Sequence, residues 1–336
     1  MPIPKVSIIV PPRNKADFVG LTLASVRAQD FQDWEALVID NRSSDGSQDV
    51  VKKLATADKR IRFIQNEEDI GIVGSLNRGL DEAKGEYVAV LHSDDLWEKN
   101  FLPSSIALLG KNPTAGLCFC KYKNIDEKGG QHKIEARNRL AGESRLVPSR
   151  EMFSLLIERD FMPVCTVLVR RDAHEKCGNY DPQFPGPSDY MMWLKIAYRF
   201  DGIYNADTTS SYRIYGSNDT NYLIDNNISI MEQYSMVKKL FRNYIPQGEE
   251  GAKQEKAMLR NAALSLLRQA SSSIARGKGG LCRSQCGLAG AVWGGLPEHL
   301  MAFVLYVLSY FTFILAPFAN LAIRIALPLL RKMGKY

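Results

Sequence analysis

Between Val6 and about His92 the chain alternates short runs of β-branched and aliphatic residues with stretches whose apolar positions recur at helical spacing. This is the pattern of βαβ units, whose strands are covered on both faces and read as continuous apolar runs. It predicts strands over Val6–Val10, Trp34–Asp40, Ile61–Gln65 and Tyr87–His92, and helices over Phe18–Ala28, Ser47–Ala57 and Ile72–Lys84. From Leu102 to Tyr215 the pattern is mixed. A helix is expected near Ser104–Leu109, strands near Leu117–Tyr122 and Val164–Val169, a helix over Asp189–Tyr198, and two short strands after it. The polar stretch Asp126–Ser144 reads as a long loop, of a length that often serves as a lid.

Beyond Ser217 the spacing is helical, over Asp219–Tyr244 and Lys253–Ala275. The run Leu300–Ile323 then carries no charged residue and exceeds the roughly 20 positions that a membrane-spanning helix needs. Basic residues stand on both sides of it, Arg276, Lys278 and Arg283 before and Arg324, Arg331, Lys332 and Lys335 after, while Pro317 and Asn320 interrupt it. A hairpin or interfacial segment with both ends cytosolic accommodates those charges better than a single span, which stays open. The expected division is therefore 1–217 as an α/β domain with halves at 1–100 and 101–217, 218–298 as a helical extension, and 299–336 as an apolar membrane-associated segment with a basic tail.

Composition narrows the class. Hydrophobic residues at 45% and charged residues at 24% exclude a disordered chain and a polytopic membrane protein. The net charge of +6 is scattered, with no basic cluster interleaved with aromatics, so no nucleic-acid partner is expected. The six cysteines lie at no zinc-knuckle or secreted-disulfide spacing, and Cys282 and Cys286 form an isolated C-x-x-x-C. The N-terminus MPIPKVSIIVPP has no signal-peptide pattern, so the body of the chain is expected in the cytosol.

The chemistry gathers at predicted strand ends, where ligands of open α/β sheets bind. In LHSDDLW an apolar strand runs into Asp94 and Asp95, two adjacent acids that repel each other unless something positive binds them. A divalent cation bridging to a diphosphate suits that pair. A solvated turn with Asp95 capping a short helix is the other reading. Asp40 ends the second strand, placed either to hold a nucleotide's ribose or base or to form an Asx-turn.

Four motifs, VSIIVPPRN (Val6–Asn14), IDNRSSDGS (Ile39–Ser47), Asn77-Arg78-Gly79 leading into AKGEYVAVLHSDDLW, and GNYDPQF with PSDYMMWL (Gly178–Leu194), resemble family 2 glycosyltransferases over about the first 215 residues. The resemblance implies a GT-A fold: a Rossmann-like, mostly parallel α/β sheet flanked by helices. It implies inverting transfer of a sugar from a nucleoside diphosphate donor, UDP above all, to an acceptor hydroxyl, with Mg²⁺ or Mn²⁺ at the diphosphate. It places Pro11, Arg13, Asn14, Asp40, Asn41, Asn77 and Asp94 around the nucleotide. Asp40 and Asn41 would hold uracil and ribose, Asp94 the ribose or metal, and Asp95 the metal. Asp189 stands where the family carries its general base, although Pro187-Ser188-Asp189 is also a good helix start.

Several positions depart from the family pattern. Pro11-Pro12-Arg13 replaces a Thr or Ser and an aromatic, His92 replaces the first acid of D-x-D-D, and Tyr215 replaces the His of Tyr-Arg-x-His. Arg213 could contact the diphosphate or form a surface salt bridge. The Gln-x-x-Arg-Trp element of processive synthases is absent, which favours single-sugar addition. With the apolar segment, the resemblance implies a polyprenyl-linked acceptor at the cytoplasmic face of the inner membrane. The alternative is a non-catalytic nucleotide-sugar-binding or scaffold member of the fold.

Overall fold

A computed structural model of the chain describes residues 3–131, 140, 142–216, 228–246, 248–275, 277–292, 302 and 305–306. The chain divides into two compact units, residues 1–156 with 160–216, and residues 157–159 with 217–336.

The first unit is built on a nine-stranded sheet. Its elements are β1 (Val6–Val10), α1 (Ala16–Arg27), β2 (Trp34–Asp40), α2 (Ser47–Ala57), β3 (Ile61–Gln65), α3 (Gly71–Glu82), β4 (Tyr87–Val90), β5 (Leu96–Trp97), α4 (Phe101–Lys111), β6 (Ala115–Ile125), β7 (Arg145–Val147), α5 (Ser149–Glu158), β8 (Val167–Arg170), α6 (Arg171–Cys177), α7 (Ser188–Arg199) and β9 (Asp201–Arg213). The sheet order is β3-β2-β1-β4-β8-β6-β9-β5, with β7 paired to β9. β1 to β4 are mutually parallel. β8 enters antiparallel between β4 and β6, and β5 and β7 are antiparallel to β9. Parallel pairing thus dominates the first half, while in the second it is confined to β6 and β9.

Every residue of β1 and β2 is buried, as the continuous apolar runs require. Of the two acids in them, Asp40 ends β2 and Glu35 accepts from Ser7 Oγ at 2.7 Å and from Arg62 at 3.2 Å. Helix α3 lies close on β1: a Cβ added at Gly79 would come within 2.5 Å of Ile9 Cγ2, so the glycine permits the approach. β4 stops at Val90, two residues short of the expected end, although Leu91 N still donates to Ile9 O at 2.9 Å. The two short strands expected after α7 are one 13-residue strand, β9. Polar residues within Asn205–Ser211 break the apolar pattern, yet the main chain stays paired with β6 across a register shift at Cys120 and Lys121.

The second unit contains α8 (Ile228–Asn243), α9 (Glu249–Ala275) and α10 (Gly279–Val292). Leu266, Leu267, Ala270 and Ile274 of α9 form a buried cluster with Cys282, Cys286 and Ala289 of α10. Among the described residues no helix is long and apolar enough to cross a membrane. The run Leu300–Ile323 lies outside the described residues except at Ala302, Leu305 and Tyr306.

Candidate active site

The carboxyl ends of β1, β2 and β4 carry the predicted residues other than Asn77, in α3, and Asp189, in α7, and the loops there are laced to one another. After β1, Pro11 and Pro12 are buried, and Pro12 O accepts from Asn41 N at 3.0 Å. Asn14 takes the left-handed conformation at φ 52°, which asparagine tolerates better than most residues. Its N–H donates to Ser43 Oγ at 3.0 Å and its Oδ1 accepts from Ser44 N at 2.9 Å. The first N–H groups of α1, at Lys15 and Ala16, donate to Ser47 Oγ at 2.8 Å and Asp45 Oδ2 at 2.9 Å. Helix α1 is therefore capped from the loop between β2 and α2.

Asp40 is fully buried, its Oδ2 accepting from Ser43 N at 3.0 Å and from Gln48 Nε2 at 3.1 Å. Its Oδ1 is buried without a hydrogen-bond partner. A buried acceptor of this kind is costly until a donor reaches it. Arg13 lies on the rim, paired to Asp69 at 2.6 Å with its side chain 58% exposed.

Two residues expected around a nucleotide are hydrogen-bonded within the scaffold. Asn41 Nδ2 donates to Asp69 Oδ1 at 2.7 Å while its Oδ1 accepts from Asn66 Nδ2 at 3.0 Å and Ile70 N at 3.1 Å, which shapes the loop entering α3. Asn77 is joined on both sides of its amide to the backbone of Tyr180. Their types were legible in the sequence, but the groups that consume their hydrogen-bonding capacity were not.

The adjacent acids point to different places. Asp94 has a partly exposed side chain, and its Oδ2 accepts from Tyr215 Oη at 2.6 Å and pairs with Lys15 Nζ at 3.1 Å. Burial raises its pKa, but the Lys15 charge and the Tyr215 hydroxyl outweigh that and hold it below the usual carboxylate value. Asp95 lies behind it and is only 1% exposed, with Oδ1 accepting from Arg213 N at 2.9 Å and Oδ2 buried without a hydrogen-bond partner. Burial first, and the Asp94 charge second, push its carboxyl well above the ordinary value, against the Arg213 N–H and the Cys165 thiol.

Arg213 does not lie at the surface. It is buried, donates through Nε to Asp94 O at 2.8 Å, and donates through Nη1 to Asp126 O at 2.8 Å and Glu127 O at 3.0 Å. It rivets the turn that presents Asp94.

Mg²⁺ and Mn²⁺ take one or two carboxylates and complete their shells with phosphate and water oxygens. Asp94 fits that role, being ionised and partly open to solvent. Asp95, expected on the metal, is closed to solvent in this structure, with Oδ1 held by Arg213 N and Oδ2 buried beneath the turn. Among the described residues no group of three or more His, Cys, Asp and Glu side chains comes together as a metal cage.

Asp189 opens α7, with its Oδ1 accepting from Tyr190 N at 2.8 Å. Burial raises its pKa, and the Tyr190 N–H and the nearby His92 partly offset the rise. His92 acts in the same way on Asp94. Lys15, which the sequence does not distinguish from any surface lysine, is the site residue that sequence reasoning misses.

Residues 7–178 match the model of the family described as Glycosyl transferase family 2. The chain is 40% identical over 214 residues to the GalNAc(5)-diNAcBac-PP-undecaprenol beta-1,3-glucosyltransferase of Campylobacter jejuni, covering 63% of this chain and 66% of that protein. It is 30% identical over 191 residues to the UDP-Glc:alpha-D-GlcNAc-diphosphoundecaprenol beta-1,3-glucosyltransferase WfgD of Escherichia coli, covering 57% and 69% respectively. It is 36% identical over 126 residues to the putative teichuronic acid biosynthesis glycosyltransferase TuaG of Bacillus subtilis, half of whose length is spanned. In structure it resembles S. aureus TarS 1-349 in complex with UDP-GlcNAc, with a TM-score of 0.63 and 15% identity over 92% of this chain and 91% of that one. It also resembles the mannosyltransferase PcManGT from Pyrobaculum calidifontis in complex with GDP-Man and Mn2+, with a TM-score of 0.58 and 18% identity over 95% and 87%. At these identities the structural likeness speaks to the fold alone.

Proposed function

The chain belongs to glycosyl transferase family 2, and from that premise we propose that it moves a single sugar from a nucleoside diphosphate donor, UDP-linked, to a hydroxyl of a polyprenyl-linked saccharide. The transfer would serve surface polysaccharide assembly at the cytoplasmic face of the membrane, as the names of the undecaprenol-linked relatives suggest. One observation carries the reading: β2 and β4 flank β1 in parallel, so the loops beyond them bring Asn14, Asp40 and the partly exposed Asp94 to one edge of the sheet.

The buried, unpaired Asp40 Oδ1 awaits an N–H or O–H donor, which the imide of uracil or a ribose hydroxyl supplies. Asp94 would hold Mg²⁺ or Mn²⁺, which when bound offsets the charge developing on the departing diphosphate. Arg13, on the rim, can reach a phosphate or a base face from its pairing with Asp69. Asp189 would remove the acceptor hydroxyl's proton as that oxygen attacks the anomeric carbon from the face opposite the diphosphate. The new glycosidic bond forms as the bond to the diphosphate breaks, and the configuration inverts. A carboxylate raised by burial is a stronger base than an exposed one.

Calorimetry with UDP and GDP, with and without Mn²⁺, followed by transfer from UDP-sugars to a polyprenyl-diphosphate saccharide, tests the reading. Binding of UDP with transfer that Asp189→Asn abolishes supports it. Binding of neither nucleotide points to a non-catalytic member of the fold.

A further inference from the structure

The cluster around Asp94 carries a consequence for the order in which ligands enter. One carboxylate oxygen, Asp94 Oδ2, bears both the Tyr215 hydroxyl at 2.6 Å and the Lys15 ammonium at 3.1 Å. The Lys15 and Asp94 side chains are only 18% and 15% exposed, so the pair is shielded from the solvent screening that weakens surface ion pairs. The ammonium lies 5.0 Å from the centroid of the Tyr215 ring, which packs in turn on Phe18 at 5.0 Å. A divalent cation that used this oxygen would meet a like charge at contact distance. The Lys15 backbone is pinned through its N–H to Ser47, while its head, held by Asp94 and the Tyr215 hydroxyl, is carried on a four-carbon stem that can turn it toward another anion. Among the described residues no third His, Cys, Asp or Glu ligand joins the acids. A metal held at Asp94 would take phosphate and water oxygens as well, the usual habit of Mg²⁺ and Mn²⁺.

We propose that Lys15 is a tethered counter-ion that closes Asp94 to a bare divalent cation and releases it when a nucleoside diphosphate arrives to take the ammonium. The inference rests on the donor reading above. Metal and nucleotide then enter together, each strengthening the other by the same factor, as linkage requires.

The test is calorimetry of Mn²⁺ alone, UDP alone and UDP with Mn²⁺, on the wild type, Lys15→Met and Tyr215→Phe, with thermal melts to confirm folding. Wild type is expected to bind Mn²⁺ weakly alone and about tenfold or more tightly with UDP, within the usual range of coupled sites. Lys15→Met keeps the apolar stem, loses the charge, and should bind Mn²⁺ alone about tenfold more tightly with most of the coupling gone. Tyr215→Phe keeps the ammonium and should leave Mn²⁺ alone weak. Where wild type binds UDP, equal Mn²⁺ affinity with and without it overturns the proposal whatever the variants do; Mn²⁺ affinity in folded Lys15→Met no greater than in wild type overturns it in every case. If wild type fails to bind UDP at all, the donor reading falls, and the Mn²⁺-alone comparison of wild type with Lys15→Met still decides the role of Lys15 at Asp94.

Discussion

Asn77 and Tyr180 exchange two hydrogen bonds of 2.9 Å, the Asn77 amide donating to Tyr180 O while Tyr180 N donates to Asn77 Oδ1. The pair ties α3, in the half that carries Asp40 and Asp94, to the segment that leads into Asp189. Asn77→Ala should cost about 1–2 kcal/mol for the two lost bonds. On the reading that Asp189 is the base and Asn77 positions it, transfer should fall while UDP affinity stays within about twofold. Urea unfolding, calorimetry and steady-state rates separate these outcomes, and a loss of UDP affinity as large as the loss of rate would return Asn77 to the nucleotide site.

The two adjacent acids should respond in opposite ways to amidation. Asp94→Asn should abolish Mn²⁺-dependent UDP binding. Asp95→Asn should retain it, because the sealed carboxyl behind the turn holds structure rather than ligand. Asp95 has a folded pKa above its unfolded value, so the folded state favours the proton and this residue's contribution to stability declines as pH rises from about 4 through the folded value. Asparagine mimics the protonated acid. The stability of Asp95→Asn relative to wild type should therefore grow with pH and shrink toward pH 4, as read by urea unfolding across that range.

His174 behaves in the reverse sense. Burial, helped by the Lys195 charge, lowers its pKa to about 4, and its Nδ1 is buried without a hydrogen-bond partner. The unfolded chain takes up a proton near pH 6.5 that the folded chain refuses until about pH 4, so stability is lost as pH falls through that window. The loss amounts to about 3 kcal/mol at most. His174→Gln should flatten this limb of the stability profile, and an unchanged profile would remove His174 as its source.

Asp189 sets the expected pH dependence of transfer. Its raised pKa places the acidic limb of kcat/KM above the ordinary carboxylate range. Asp189→Asn should lower kcat by about 10²–10⁴ while UDP binding survives, the usual contribution of a general base. A variant with near-normal transfer would place the base elsewhere.

The sequence made some of this legible and hid the rest for identifiable reasons. β1, β2 and β3 fall where the apolar runs placed them; β1 and β2 are buried throughout and such strands admit few polar residues, while β3, at the sheet edge, is marked by Ile61, Phe63 and Ile64. The short helices α5 and α6 escaped the reading, since each spans only two or three turns and leaves a weak period. The positions of the strand-end acids were legible; the directions of their side chains were not. Asp94 and Asp95 are neighbours in the chain, yet one faces the cleft and the other the core, a difference fixed by Arg213 from more than a hundred residues away. Asn41 and Asn77 carried suitable chemistry, but their partners at Asp69, Asn66 and Tyr180 became visible only in three dimensions.

The capping of α1 by Asp45 and Ser47 bears on how the domain folds. The first N–H groups of α1 find acceptors only when the segment after β2 is in place. A fragment ending before Asp45 would leave them to water and the helix start frayed. The first two βα repeats are thus one cooperative unit, and hydrogen exchange at Lys15 and Ala16 should report the opening of the loop after β2 rather than local unwinding of α1. Nascent chain emerging from the ribosome would acquire this wall of the cleft in a single step, after about the first 60 residues have cleared the tunnel and β2 can pair with β1.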